Sequence, residues 1–449
     1  MEPGPLNATA SPGEPVASRS ASVPLASALS AAANAVAAVL NGMALTDALD
    51  HVPPPHRPAA QDLAFHLMRR LGRARALLRS LVPRRPPSPL AEAHLLLALA
   101  LLDVGPDDAH APRYGAHTIV DQTVTALAAN RRLLGFKGLA NAALRRFLRE
   151  RKQLLEQILD LPEARWNYPG WWIERVRADY SAQWEDILRA GNAPAPMILR
   201  VNRRRTSRDA YQALLAASGI DATAVGADGL VLARAVPVSQ LPGFAEGWCS
   251  VQDAGAQLAA HLLAPRDGMR VLDACAAPGG KTAHLLELAD LDCLALDVNP
   301  RRLALVSDTL QRLGLHATLV EGDAAHPGQW WDGRPFDAVL ADVPCTASGI
   351  VRRHPDIRWL RQPAELERAA ALQRDILDAL WQVVAPGGKL LYVTCSVFPA
   401  EGELQAQAFI ARHADARRLP APGQLLPALP DTAPGQQHDG FFYALFSKA

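Results

Sequence analysis

The part of the chain after residue 241 alternates short apolar runs with longer segments of helical periodicity, and this alternation constrains the fold more than any other feature. The strand-like runs are MRVLDAC, LDCLALD, HATLVEGD, FDAVLADVPC, KLLYVTCS and DGFFYALFSK, and helical patterns such as TAHLLELA and PRRLALVSDTLQRLG lie between them. Runs without polar alternation are typical of strands that are buried on both faces. We therefore predict an α/β domain at 242–449, in which helices cover a doubly wound parallel sheet.

The rest of the chain divides into three segments of different character. At 449 residues the chain is too long for one ordinary core. Residues 25–160 carry apolar side chains at helical spacing with no convincing strand, which predicts an all-α domain. Residues 161–241 mix helical patterns with the strand-like MILRVN and GLVLARA, which predicts a small α/β subdomain. Residues 1–24 are rich in Pro, Ser and Ala, and we expect a flexible tail there.

The composition argues against several classes of protein. Apolar residues make up 49% of the chain and charged residues 20%, as in globular proteins, and no 18-residue apolar run is free of charges or turn formers. The five cysteines are an odd number without a C-x-x-C pair, so a disulfide framework and a structural zinc site are both poorly supported. We expect a cytoplasmic protein with free thiols, no metal and no membrane segment, and a monomer by default.

The pentapeptide APGGK occurs twice, and its two settings predict different roles. The first copy, Ala277–Lys281, follows the strand-like MRVLDAC and opens the helical TAHLLELA. In an open α/β sheet, ligands bind beyond the carboxyl ends of the strands, where glycines let the backbone approach and helix N–H groups are free. The second copy, Ala385–Lys389, ends a helix and precedes a strand. We therefore predict a ligand loop for the first copy and a turn for the second.

Acidic residues at the ends of the next two strands indicate the kind of ligand. Asp297 follows LDCLAL, and Asp323 follows HATLVEG. A carboxylate at the end of the second strand is placed to accept hydrogen bonds from a ribose diol, and one at the end of the third could accept from an adenine amino group. Either Asp, taken alone, is as often a helix cap or a turn residue. The loop has neither the P-loop pattern nor G-x-G-x-x-G, so a nucleoside without a triphosphate cradle favours S-adenosylmethionine.

Two cysteines and an aspartate lie at the ends of further strands. Cys345 follows FDAVLADVP, Cys395 follows LLYVT, and Asp342 precedes Cys345 by three residues. Together with a methyl donor they point to one reaction, since C5 of a pyrimidine becomes nucleophilic once a thiolate adds at C6. A carboxylic group near N3 would stabilise that adduct. The residues alone leave open which thiol attacks. The thiols expected to be buried small side chains are Cys249, Cys275 and Cys293.

The motifs DACAAPGGKT, DVPC and YVTCS, together with the two strand-end acids, resemble the RNA 5-methylcytosine methyltransferase family, often called the NOL/NOP/Sun family. RRHPDIRWL, VQDAGAQ and DGFFYALF are similar to its bacterial small-subunit ribosomal RNA branch. The resemblance implies a Rossmann-like class I methyltransferase domain that uses S-adenosylmethionine, preceded by a helical domain similar to the antitermination factor NusB. One departure is Val343, where the family usually has Ala.

The resemblance also implies a role for each matching residue. In that family, the nucleophile is the cysteine of the TC motif, here Cys395, and the cysteine of the PC motif, here Cys345, assists product release. Asp297 would bind the ribose, Asp323 the adenine, and Asp342 would lie beside both the donor and the base. The loop that would line the methionine and ribose part of the donor comprises Cys275, Ala276, Ala277, Pro278, Gly279, Gly280 and Lys281.

Two arginine clusters are the best sequence candidates for RNA contacts. A cytosine inside a helix hides C6, so the base must be splayed out or flipped before it reaches a thiol. Leu199–Arg208 holds five arginines in ten residues, and a second cluster surrounds Trp359 together with Arg358. Trp359 is either a stacking surface for a base or a packing residue. The arginines predicted to contact phosphate in small-subunit rRNA are Arg200, Arg203, Arg204, Arg205, Arg352 and Arg353.

Other functions remain open on the sequence alone. A protein with the same chemistry would methylate transfer RNA, and only substrate tests separate it from a ribosomal RNA enzyme. A protein of another class would be an RNA-binding module with a degenerate transferase domain, but both thiols, Asp342 and the full ligand loop are retained. A small-molecule methyltransferase is disfavoured by the arginine clusters and the paired thiols.

Overall fold

Six helices form the N-terminal part of the structure, a computed structural model that describes residues 23–84, 86, 88–105 and 114–449. They are α1 (Leu25–Leu40), α2 (Leu45–Asp50), α3 (Arg57–Leu81), α4 (Pro89–Leu102), α5 (Ala116–Ala129) and α6 (Lys137–Ile158). Ser88 caps α4 by accepting a hydrogen bond from the Ala91 N–H at 3.3 Å, and nearly all of that helix is buried. The tail predicted at 1–24 lies outside the described residues except for its last two positions. Within the described ranges, no helix combines the length and apolarity that crossing a bilayer requires.

A small antiparallel sheet follows, with its strands in the order β2-β3-β1-β4. Its region comprises α7 (Pro162–Trp166), α8 (Gly170–Asp179), α9 (Trp184–Asn192), β1 (Ile198–Val201), α10 (Arg208–Ala217), β2 (Ala222–Val225), β3 (Gly229–Leu232) and β4 (Cys249–Val251). β1 is buried along its whole length because β3 and β4 pair with it on either side. β4 lies beyond residue 241, so the sheet takes an edge strand from the segment that leads into the larger sheet.

The larger sheet has seven strands in the order β10-β11-β9-β8-β5-β6-β7. Its elements are α11 (Ala254–Leu263), β5 (Arg270–Asp273), α12 (Gly280–Leu288), β6 (Asp292–Asp297), α13 (Pro300–Leu313), β7 (Thr318–Glu321), β8 (Phe336–Asp342), α14 (Ile357–Leu360), α15 (Pro363–Val383), β9 (Val384–Thr394), α16 (Glu403–Arg412), β10 (Ala416–Leu425) and β11 (Phe441–Lys448). The strands β7, β6, β5, β8 and β9 pair in parallel, and β11 pairs antiparallel with both of its neighbours. This arrangement confirms the predicted doubly wound α/β fold.

Both faces of the larger sheet are buried, as its apolar runs predict. In β8, Val339 packs with residues of α15 and α16, whereas Leu340 packs with residues of α11 on the opposite face. The strand order reverses between β5 and β8, which are hydrogen-bonded neighbours connected in sequence through β6 and β7. A reversal of this kind opens a crevice at the carboxyl ends of the strands. The first APGGK and both strand-end cysteines lie at this edge.

The second APGGK lies near the amino end of β9, at the opposite end of the strands from the ligand loop. It falls inside β9, where the pairing with β8 shifts between Val384 and Lys389, and Gly387 has a φ of +74°. The sequence predicts a separate turn here, but the structure forms an irregularity within the strand. The four unpaired residues divert the chain from α15 into the sheet, so this copy is a connector, far along β9 from the carboxyl edge.

Candidate active site

The ligand loop between β5 and α12 is held in a conformation that depends on glycine. Gly279 has a φ of +95°, and a Cβ on it would lie 3.0 Å from the Val306 Cα of α13. The Thr309 hydroxyl donates to the Pro278 carbonyl at 3.0 Å, which ties the same helix to the loop. The backbone of the first APGGK therefore packs directly against α13, and its turn presents the start of α12 to the carboxyl edge.

Asp297 and Asp323 lie at the ends of the neighbouring strands β6 and β7, as the sequence predicts. The buried Asp297 accepts hydrogen bonds from the Ala277 N–H at 3.2 Å and the Asn299 N–H at 3.0 Å, so it anchors the ligand loop. Asp323 accepts from the Ala325 N–H at 2.9 Å, and its side chain is 41% exposed. Each carboxylate oxygen can accept two hydrogen bonds, so both groups keep capacity for hydroxyl or amino donors. The pair therefore fits a nucleoside.

Asp273, at the end of β5, is a buried acid that the sequence reasoning missed. Its Oδ2 accepts from the Thr282 hydroxyl at 2.7 Å, while its Oδ1 has no hydrogen-bond partner in the part of the chain that the structure describes. Burial raises the pKa of Asp273 to about 7, and the nearby charge of Asp342 adds to that effect. An ammonium-bearing ligand would supply the missing partner, which fits the amino-acid end of S-adenosylmethionine. The signal was its place at the end of a strand, just before the ligand loop.

Lys281 and Asp342 form an ion pair between the ligand loop and the end of β8. The Lys281 Nζ lies 2.5 Å from Asp342 Oδ2 and 5.6 Å from the centre of the Phe441 ring. Burial alone would lower the pKa of Lys281, but the Asp342 carboxylate outweighs it and raises that pKa. Lys281 therefore stays charged, and Asp342, whose side chain is 27% exposed, is held at the mouth of the crevice.

The two strand-end thiols are neighbours. Cys345 follows β8 and Cys395 follows β9, and because these strands are parallel partners, the two Sγ atoms come within 3.4 Å of each other. The hydrogen bond with Cys395, together with burial, raises the pKa of Cys345 well above its ordinary value. Either sulfur could donate the hydrogen bond between them. Both thiols are half-buried. Cys249 and Cys293 are buried as predicted, but Cys275, which is also predicted to be buried, is half-buried.

Glu401 joins the two thiol loops, and the sequence reasoning missed it. Its carboxylate is fully buried and accepts from the Thr346 N–H at 2.8 Å, the Thr346 hydroxyl at 2.5 Å and the Ser396 hydroxyl at 2.6 Å. Thr346 directly follows Cys345, and Ser396 directly follows Cys395. Gln373 of α15 donates to the same carboxylate at 3.1 Å and to the Pro344 carbonyl at 2.9 Å. One carboxylate thus fixes the backbone next to both sulfurs.

The prediction that Arg200 contacts RNA is wrong. Its side chain is fully buried and forms two hydrogen bonds to Glu287, at 2.7 and 2.8 Å. Its Nη1 also donates to the Gly280 carbonyl at 2.7 Å, so Arg200 holds the start of α12 instead of a phosphate. Arg203 and Arg204 remain exposed, although each pairs with an acid of its own, and Arg205 is exposed.

The second arginine cluster is also structural. Arg352 is buried against Asp439, and Arg353 pairs with Asp439 and, at 2.7 Å, with Asp253. Arg358 is fully buried, with its guanidinium 3.9 Å from the centre of the Tyr168 ring. The prediction of phosphate contacts is therefore wrong for Arg352 and Arg353, because their guanidinium groups are engaged by carboxylates inside the protein.

Trp359 packs rather than stacks on a base. Its Nε1 donates to the Met68 carbonyl of α3 at 2.8 Å, and the guanidinium of Arg75 lies 5.4 Å from its ring centre. The ring belongs to the core of the N-terminal helices, and not to the helix that follows it in the sequence.

One group of side chains could hold a metal ion, although hydrogen bonds account for it. Ligand atoms of Asp228, His261 and His284 lie within 4.8 Å of one another, between the small sheet and the helices α11 and α12. Asp228 Oδ2 lies 2.6 Å from His261 Nε2 and 3.1 Å from His284 Nε2, and Arg203 bonds to the other oxygen. A guanidinium on the same carboxylate competes with a cation. The absence of a metal stays a prediction.

Known proteins match most of this chain. Residues 260–447 match a family model described as 16S rRNA methyltransferase RsmB/F, and residues 168–239 match one described as a Methyltr_RsmF/B-like, ferredoxin-like domain. The ribosomal RNA small subunit methyltransferase B of Vibrio cholerae is 41% identical over 429 residues, covering 93% of this chain and 96% of that protein. Its Pseudomonas putida counterpart is 45% identical over 439 residues, covering 93% and 98%. These matches confirm the resemblance that the motifs indicate.

A solved structure of a methyltransferase homolog also resembles this chain, at lower sequence identity. A methyltransferase homolog protein from Pyrococcus horikoshii is 29% identical, with a TM-score of 0.55, and the match covers 66% of this chain and 98% of that one.

Proposed function

We propose a cytosine-C5 methylation for this chain, which belongs to the 16S rRNA methyltransferase RsmB/F family. The methyl group would come from S-adenosylmethionine, whose sulfonium supplies it as an electrophile, and the acceptor would be a cytosine of small-subunit rRNA. One observation carries the proposal: two thiols 3.4 Å apart lie at the ends of adjacent parallel strands, at the edge that also holds Asp342 and the ligand loop. C5 methylation needs a thiol nucleophile that adds at C6 and a second group that removes the proton from C5.

Cys395 is the proposed nucleophile. The Cys345 sulfur lies 3.4 Å away, and a hydrogen bond donated by that thiol would stabilise a thiolate at Cys395. The new bond joins Cys395 Sγ to C6, and the electron pair of the C5–C6 double bond moves toward C5 and the ring. Asp342, held by Lys281, would stabilise the electron-rich base by donating a proton, in its carboxylic form, to N3, and would take that proton back when the adduct breaks down. C5 then takes the methyl group from the sulfonium, which leaves as a neutral thioether.

Cys345 is proposed to act in product release. The hydrogen bond with Cys395 is the largest cause of its raised pKa. Once Cys395 is bonded to C6, its sulfur is no longer an anion beside Cys345, so the Cys345 thiol can release its proton to solvent. The Cys345 thiolate can then take the proton from C5 while the C6–S bond breaks, which restores the aromatic base and frees Cys395 as a thiolate.

The donor site is proposed to use the residues predicted for it. Asp297 and Asp323 would accept hydrogen bonds from the ribose and the adenine, and Asp273 would pair with the ammonium group. The loop Cys275–Lys281 would enclose the rest of the donor against α13. Among the arginines predicted to contact RNA, Arg203, Arg204 and Arg205 keep exposed side chains and are proposed as phosphate contacts.

The test compares wild type, Cys395→Ser and Cys345→Ser, each incubated with S-adenosylmethionine and small-subunit rRNA. We expect Cys395→Ser to form neither 5-methylcytosine nor a denaturation-stable protein–RNA adduct, and Cys345→Ser to accumulate the adduct. Cys293→Ala, at a buried thiol near the amino end of β6 and away from the carboxyl ends of the strands, is the control and should methylate normally. Exchanged phenotypes would make Cys345 the nucleophile. If the enzyme methylates transfer RNA but not rRNA, the proposed substrate is wrong and the chemistry stands. If it transfers a methyl group to no RNA, the proposal is overturned.

A further inference from the structure

A groove of about 310 Å³ opens beside Cys345, and no residue of the ligand loop lines it. Its floor is the Cys345 loop, and its wall is the exposed face of α15, where residues at positions 365, 368, 369 and 372 follow helical spacing. The residues that line it are Pro344, Cys345, Thr346, Arg361, Glu365, Arg368, Ala369 and Leu372.

Arg361 is fixed next to the Cys345 loop. Its Nε donates to the Thr346 carbonyl at 3.2 Å, and its Nη1 lies 3.9 Å from a Glu365 oxygen. The side chain lines the groove and is 35% exposed, which leaves N–H groups of the guanidinium available to an anion there. A guanidinium held in place loses less entropy when it binds an anion than a free one does, because its rotamer is already set.

Arg368 and Leu372 complete the wall one turn and two turns after Glu365. Arg368 is 74% exposed and reaches Glu365 only at 4.0 Å, so its charge is poorly neutralised. Leu372 is a large apolar side chain that is 41% exposed. Two guanidinium groups against one carboxylate leave the groove cationic, and the leucine offers an apolar surface on which a base can rest.

We propose that this groove binds the RNA strand next to the target cytosine, with Arg361 and Arg368 on phosphates and Leu372 under a neighbouring base. The inference rests on the proposed function, which requires a single-stranded, anionic substrate whose cytosine reaches the thiols. It relocates the RNA contacts from Arg352 and Arg353, whose charges are engaged inside the protein, to a cationic surface whose floor includes Cys345 itself. A protein partner is disfavoured because Leu372 is the one large apolar side chain among the residues that line the groove.

The test is a charge reversal on α15 with a matched control. Arg368→Glu should raise the Kd for a small-subunit rRNA fragment about tenfold, and should reduce the slope of log K against log salt by about 0.7 for one lost contact with single-stranded RNA. Arg374→Glu reverses the same charge on the same helix at an exposed position whose ion pair with Asp375 lies outside the groove. Because the long-range charge changes equally in both variants, the difference between them isolates the groove.

A gain of affinity gives a second readout. Glu365→Gln removes the carboxylate that opposes RNA, while a glutamine can keep the hydrogen bond to the Gln362 N–H at the start of α15. We expect this variant to lower the Kd for the same fragment.

If Arg368→Glu and Arg374→Glu have equal Kd values while the wild type methylates rRNA, the groove does not bind RNA and the proposed function is unaffected. If the wild type does not methylate rRNA, the proposed function itself is wrong.

Discussion

Replacing Glu401 by glutamine or alanine is the perturbation whose consequences the structure defines most fully. The carboxylate accepts hydrogen bonds from the Thr346 N–H, the Thr346 hydroxyl, the Ser396 hydroxyl and Gln373, all of them buried. Glutamine keeps the shape: its carbonyl can still accept from Thr346 and Gln373, and the two hydroxyls can turn to accept from its NH₂ group. Alanine leaves every one of these groups without its partner.

The magnitudes follow from the number and kind of these hydrogen bonds. Glutamine exchanges charge-assisted hydrogen bonds for neutral ones, so we expect the free energy of unfolding to fall by about 2 kcal/mol. Alanine abandons four buried donors, and we expect a loss of about 4 kcal/mol. Loosening the backbone on both sides of the sulfurs also disturbs their geometry. A misplacement of about 1 Å can cost about 100-fold in rate, so we expect Glu401→Gln to lose at least about tenfold in kcat.

Three measurements separate positioning from mere support of the fold. Urea unfolding gives the stability loss, and kcat is measured at a temperature at which each variant is fully folded. The third is the pH dependence of Cys345 alkylation by iodoacetamide, followed by mass spectrometry in a Cys395→Ser background. The charge of Glu401 helps to raise the pKa of Cys345, so Glu401→Gln should shift that profile to lower pH. Glu403→Gln, two residues later on the surface, should change none of the three by much.

A stability loss in Glu401→Gln with an unchanged kcat and an unchanged alkylation profile would refute this reasoning. Glu401 would then stabilise the fold without positioning the thiols. Unchanged stability would refute the hydrogen-bond accounting as well, since it would mean that the four donors find other partners.

Two further predictions concern the ligand loop and a buried histidine. Gly279→Ala forces a Cβ into a left-handed residue 3.0 Å from Val306, so we expect weaker binding of S-adenosylmethionine by calorimetry, while Gly268→Ala, also at positive φ but with open space around it, should leave binding unchanged. Burial lowers the pKa of His284 to about 3, so the unfolded chain binds a proton below pH 6.5 that the folded chain refuses, and stability falls by up to about 1.4 kcal/mol per pH unit as pH drops toward 3. Urea unfolding of His284→Asn between pH 7.5 and 5.5 should lack this contribution, and an unchanged slope would contradict the burial effect.

The strand-end residues could be predicted because two simple patterns locate them. An apolar run gives the strand, and the parallel arrangement brings the end of every such run to one edge. The sequence therefore predicts the strand-end positions of Asp297, Cys345 and Cys395, and the structure has them there. The sequence does not predict that the small sheet extends past residue 241. The strand responsible, β4, has three residues and no pattern of its own, and its pairing with β1 is what identifies it.

The predicted RNA contacts of Arg200, Arg352 and Arg353 are wrong because a sequence shows charges without showing their partners. Arg200 meets Glu287 across 87 residues, and Arg352 meets Asp439 across another 87. A cluster of arginines therefore suggests a phosphate-binding surface even where a member such as Arg200 or Arg352 is engaged inside the protein. Glu401 was missed for the converse reason: its only local signal is a position six residues after Cys395, and its hydrogen bonds to Thr346 exist only in the folded chain.

The segment 352–361, which holds the buried Arg352 and Arg358, connects the N-terminal helices to the site. Its backbone and side chains are held by those helices: Arg69 donates to the Arg352 carbonyl at 2.9 Å, Trp359 donates to Met68 at 2.8 Å, and Asp356 accepts from the Leu45 N–H at 2.9 Å. The same segment leads directly from the Cys345 loop to Arg361 at the groove. The helical domain is therefore packed against the connection between the thiols and the proposed RNA surface, and its loss would expose Trp359 and leave the groove without one of its supports.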